Sequence, residues 1–146
     1  MTMSFRRVLV AVDSEPIAAH AADVGVELAR SLGADVALVH AIDTSTNYGA
    51  DTGISPNELI DRAKQDGKRL LEGFRQRLSL QPSALEFVVA GTPADEIVKA
   101  AGEWPADLIV IGSHGRGGVQ RALLGSVAEG VMRRASCPVL VIRAKE

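Results

Sequence analysis

Cysteine is nearly absent from this sequence: Cys137 stands alone, which excludes an intrachain disulfide framework and fits a reducing compartment. Aromatic residues make up only 3% of the chain, so its core has to be built from Val, Leu, Ile and Ala. No Lys/Arg tract is longer than a pair, and 16 basic residues against 18 acidic ones leave a formal charge of −2. The electrostatic footprint of a nucleic-acid binder is therefore missing. Long apolar runs are missing too. The run Val8 to Val12 after the basic N-terminal stretch stops at Asp13, too short for a signal-peptide core, and no run approaches a bilayer span. The cytoplasm is the expected location, with no membrane and no nucleic acid as partner.

What remains is the composition of an ordinary globular chain, 47% apolar and 23% charged over 146 residues, a length that suits one domain spanning residues 1–146. Short β-branched runs alternate with longer stretches of helical periodicity, the signature of βαβ units stacked around a parallel sheet. Five strands are expected, over Arg6 to Val12, Asp35 to Ile42, Leu85 to Ala90, Asp107 to Ile111 and Pro138 to Ile142. Most are continuous apolar runs, as strands covered on both faces require, so helices should lie on each side of the sheet. Capping chemistry marks the helix starts. Pro16 precedes Ala18 to Ser31 with Gly33 just beyond; Ser55, Pro56 and Glu58 form a capping box for a helix to about Arg77. Thr92, Pro93 and Asp95 repeat that pattern for a helix through Ala101, and Ser126 with Glu129 opens a fourth that ends near Arg133 and Arg134.

Ligands of open parallel sheets bind outside the carboxyl ends of the strands, where strand order reverses. The strand ends are Asp13, Ala41 to Asp43, Gly91 and Thr92, and Gly112 onward. The last is built for a ligand: Gly112, Ser113, His114, Gly115, Arg116, Gly117 and Gly118 hold four glycines in seven residues, and Gly125 then leads into the fourth helix. Glycine lets backbone N–H groups approach an anion closely, the helix start adds free amides, Ser126 a hydroxyl and Arg116 a full positive charge. The same residues would also serve a bare strand-to-helix turn, so phosphate binding and plain capping both stand on local chemistry. His20, His40 and His114 have no metal-site spacing. His20 falls on the first helix, and His114 suits packing or a hydrogen bond near phosphates better than acid/base chemistry. Cys137 reads as a small buried hydrophobe, Trp104 as cover for a helix end, and Asp43 as a cap for the loop after its strand.

Read as G-x2-G-x9-G-[ST], Gly112, Gly115, Gly125 and Ser126 reproduce the nucleotide-binding pattern of the universal stress protein family. The chain resembles that family along nearly its whole length, through Val10 to Asp13, Val39 to Asp43, Gly91-Thr92-Pro93 and the run from Cys137 to Val141. The resemblance implies a Rossmann-like five-stranded sheet in the order 3-2-1-4-5. It implies ATP or AMP as ligand, with Ala11, Val12 and Asp13 at the ribose or at a nucleotide-borne Mg, and Ala41 at the adenine. The phosphates then fall to Gly112 through Gly118 and to Gly125, Ser126, Val127 and Ala128. It also implies a homodimer through the final strand, Pro138 to Ile142, an edge with no proline or lysine inside it beyond its first residue. One departure concerns Ser14, Glu15 and Pro16, which stand where the family has a glycine and then a serine, and so bring a carboxylate toward the phosphates.

Three functions follow. The first is a sensing or regulatory nucleotide binder in the stress response, since no nucleophile with a positioned base is evident. The second is slow ATP hydrolysis or autophosphorylation on Ser113 or Ser126, weak because a Walker lysine is absent. The third is a nucleotide-free dimer acting through an unknown protein partner.

Overall fold

The computed structural model describes residues 4–45, 53–114 and 124–143. Among them strands and helices alternate as β1 (Arg7–Ala11), α1 (Pro16–Leu32), β2 (Asp35–Asp43), α2 (Pro56–Arg77), β3 (Leu85–Gly91), α3 (Pro93–Glu103), β4 (Leu108–Gly112), α4 (Ser126–Arg134) and β5 (Val139–Ile142). All strand pairs are parallel, and the sheet runs β3-β2-β1-β4-β5.

Strand β1 is central and apolar because both of its faces are covered. Val8, Val10 and Val12 point to one side, where they meet Ala18, Ala21, Ala22 and Val26 of α1 and Leu71 and Phe74 of α2. Leu9 and Ala11 point to the other, against Ala94, Ile97 and Ala101 of α3 and Ala128 and Val131 of α4. Val8, Leu9 and Val10 are wholly inaccessible to water, and burying each such side chain stabilises the fold by roughly 1.5–3 kcal/mol. The small aromatic content is answered by small spacings: Gly130 of α4 faces Ala94 of α3 so closely that a Cβ there would sit 2.6 Å from the Ala94 methyl.

Two helix starts follow the expected chemistry. Pro16 occupies the first turn of α1, and Gly33 closes that helix in the left-handed region at φ 67°, its amide returning to Ala29 and Arg30. Ser55 Oγ accepts from the Glu58 amide at 3.2 Å. Two others differ. Thr92 is the N-cap of α3, but its side chain makes no capping bond; the carboxylate of Asp95 is turned outward to Arg134, 3.4 Å away. For α4 the N-cap is Gly125 rather than Ser126, and Glu129 pairs with Arg133 at 2.8 Å instead of closing a capping box. The helix begins at Ser126 as expected, but a glycine holds the extended cap conformation ahead of it, so the capping box does not form.

Candidate nucleotide-binding crevice

The carboxyl ends of β1, β2 and β4 converge because β1 sits between the other two. Ala11 is level with Val39, and Val10 with Val110. One residue beyond the strand, the Val12 amide still donates to the Val39 carbonyl at 2.9 Å. The chain then leaves the sheet. Asp13, half-buried, accepts the Glu15 amide on Oδ1 at 2.9 Å, a turn that launches α1. One carboxylate oxygen of Asp13 is thus engaged by main chain. Glu15, half-buried, is the N-cap of α1 and lies beside the same opening.

Across the crevice, β4 ends at Gly112, where a Cβ would press on Ile17 of α1 at 3.2 Å. Ser113 follows, a buried polar residue at 6% exposure. Its amide donates to Ile142 of β5 at 2.8 Å and its carbonyl accepts the Gly125 amide at 2.5 Å. The glycine at 125 is required by space: a Cβ would come within 2.8 Å of the His114 Cα and 3.1 Å of the Ser113 oxygen. This tight junction brings the start of α4 back beside the end of β4. Glu129 makes the first helical bond, to the Gly125 carbonyl at 2.9 Å, so the amides of Ser126, Val127 and Ala128 precede the helical ladder. Beside them His114 Nδ1 is buried with no hydrogen-bond partner among the described residues.

Several anticipated site residues can act only through main chain. Ala11, Val12 and Ala128 have side chains in the core, at 6%, 5% and 2% exposure. Ala41 is half-exposed at the end of β2, paired with Val89 of β3. Gly115, Arg116, Gly117 and Gly118 lie outside the described residues. Asp43 accepts both the amide and the hydroxyl of Ser45, at 2.9 and 2.5 Å, which makes it the cap of the turn after β2. Cys137 is half-buried ahead of β5, and burial pushes its thiol up from the ordinary range. Among the described residues no three His, Cys, Asp or Glu side chains gather as a metal site, and no helix is long and apolar enough to cross a membrane.

Sequence reasoning passed over His40. Its Nδ1 donates to the Val12 carbonyl at 3.0 Å, beneath α2, where Gly67 leaves room for the ring.

A parallel α/β sheet covered on both faces, with its crevice between β1 and β4, is a fold of the doubly wound class. The family model described as the universal stress protein family matches residues 4–143, and the chain belongs to that family. Universal stress protein YxiE of Bacillus subtilis is 34% identical over 150 residues, covering 95% of this chain and 99% of its own. The structure of universal stress protein UspA from Lactobacillus plantarum superposes with a TM-score of 0.83 at 27% identity, over 97% of this chain and 100% of the other. A universal stress protein from Archaeoglobus fulgidus, solved in complex with dAMP, superposes with a TM-score of 0.60 at 28% identity, over 97% of this chain and 100% of the other.

Proposed function

We propose that this protein binds an adenine nucleotide, ATP or AMP, in the crevice between β1 and β4, and that binding itself is its output as a regulatory or sensing module of the stress response. The observation that carries the reading is the junction at Gly125. It holds three helix-start amides beside a buried imidazole nitrogen that has no partner among the described residues, at the strand ends where doubly wound sheets take their ligands. The dAMP complex of the Archaeoglobus fulgidus relative supports the same ligand class.

In this reading Ser126, Val127 and Ala128 give main-chain hydrogen bonds to phosphate oxygens, with Gly112, Ser113 and His114 beside them, and the family's glycine pattern assigns Gly115 to Gly118 to the same phosphates. Main-chain donors fixed by a helix need no reorganisation to meet an anion. Asp13 faces the ribose or a magnesium ion carried by the nucleotide, and the backbone of Ala41 faces the adenine. Ser113 is too enclosed to serve as a phosphoryl acceptor, which weighs against self-phosphorylation there. The expected site of action is the cytoplasm, where nucleotide is abundant and Cys137 stays reduced.

Calorimetric titration of the nucleotide-stripped protein with Mg·ATP and with AMP tests this. The parent should bind, and Gly125→Val, whose side chain fills the junction, should lose at least about 100-fold in affinity. A parent that binds neither nucleotide would sink the proposal.

We also propose a symmetric dimer through β5. That strand is a sheet edge, and Val139, Leu140 and Val141 are only half-buried while Met132 of α4 is 48% exposed. Val141→Lys should convert the protein to monomer by light scattering; an unchanged mass would exclude this edge as the interface.

A further inference from the structure

Gly67 lies in the middle of α2, away from either end, where glycine weakens a helix relative to alanine. The fold uses the missing side chain. A Cβ at Gly67 would sit 2.9 Å from His40 Cδ2 and 3.1 Å from Val88 Cγ1. His40 belongs to the face of β2 that α2 covers, and the glycine lets its ring slide between sheet and helix. There its Nδ1 reaches the carbonyl of Val12, 28 positions earlier, at 3.0 Å. Because a carbonyl only accepts, Nδ1 carries the proton in this bond.

Val12 is consequently gripped on both sides by successive residues of β2. Its amide is held by the Val39 carbonyl at 2.9 Å and its carbonyl by the His40 ring. The next residue is Asp13, where the chain bends out of the sheet and its carboxylate catches the Glu15 amide. The bonds that hold Val12 thus stand one peptide away from Asp13. We infer that His40, seated by Gly67, is a positioning residue for the nucleotide crevice: it touches no ligand, but fixes the end of β1 so that Asp13 is presented to the ribose side of the bound nucleotide. The inference rests on the nucleotide reading above.

Three variants separate positioning from mere packing. His40→Leu keeps the bulk and removes the donor, His40→Asn keeps a donor at similar reach, and Val88→Ala loosens the same contact region without touching the Val12 bond. Each is titrated with Mg·ATP beside the parent, and amide hydrogen exchange is followed at Val12 through Glu15. His40→Leu should weaken ATP binding about tenfold and speed exchange at those amides, since one partially buried hydrogen bond of ordinary strength is lost. His40→Asn should restore affinity to within about threefold, and Val88→Ala should lower the melting temperature while leaving affinity unchanged. If the parent binds ATP and His40→Leu binds it equally well, or if Val88→Ala weakens binding as much as His40→Leu does, the positioning role is overturned while the nucleotide reading survives. If the parent itself does not bind, both are overturned together.

Discussion

The two ends of the sheet differ in what their polar groups leave open. At the amino ends of the strands the polar groups are closed off within the chain. Asp107 Oδ2 accepts the amides of Arg6 and Arg7 at 2.8 and 2.9 Å, the Asp35 amide returns to the Arg6 carbonyl, and Arg30 binds the Leu78 carbonyl where α2 ends, beside Ser79 in a left-handed conformation. Arg75 joins the carbonyls of Gln81, Pro82 and Ala84 to the carboxylate of Glu86 and so pins the turn into β3. At the carboxyl ends Asp13 and Asp43 cap their own turns, but among the described residues the amides at the start of α4 precede the helical ladder, His114 Nδ1 is buried without a partner, and Gly112 and Gly125 stand where a Cβ would press on its neighbours. Buried polar groups are ordinarily satisfied, so the one buried side-chain nitrogen without a partner among the described residues, His114 Nδ1, marks this end as the place for a ligand.

Three substitutions test whether stability and ligand binding are divided between the ends in this way. The largest effect belongs to Arg75→Met. Arg75 and Glu86 are 18% and 21% exposed, and removing the guanidinium strands a carboxylate and three carbonyls, at a cost of about 2–3 kcal/mol in chemical denaturation. Nucleotide affinity should stay within twofold; a parallel loss of affinity would break the division. Next is Asp107→Ala, which removes two charge-assisted bonds and should cost about 1–2 kcal/mol of stability, again with affinity intact. The smallest is Glu15→Gln. Removing that charge from the mouth of the crevice should tighten ATP binding about two- to threefold at low salt, an advantage that fades as salt is added, without a detectable change in melting temperature. An unaltered affinity would show that Glu15 is turned away from the phosphates.

Much of the fold was legible because its signals are local. Continuous apolar runs announced each strand to within a residue or two, and Ser55 with Pro56 and Glu58, or Pro16 with Gly33, announced helix ends from a few adjacent positions. The start of α4 at Ser126 was legible too, but its capping box was not borne out: Gly125, packed against Ser113 and His114, is the cap. For the candidate crevice, the glycine spacing and the strand ends both pointed to the ends of β1 and β4, which the sheet order sets side by side. His40 was not, because its meaning depends on a helix glycine 27 positions later and a carbonyl 28 positions earlier, neither of which leaves a periodic trace near it. A glycine inside an amphipathic helix was the available clue, since such a residue weakens the helix unless something is packed against the space it leaves.

The two bonds that Ser113 makes tie distant business together. Its amide hangs on the last residue of the edge strand, and its carbonyl holds the residue that begins α4. The edge strand, the end of β4 and the start of α4 are therefore joined in series by two main-chain links, so a displacement of β5 is carried to the Gly125 junction without passing through a side chain.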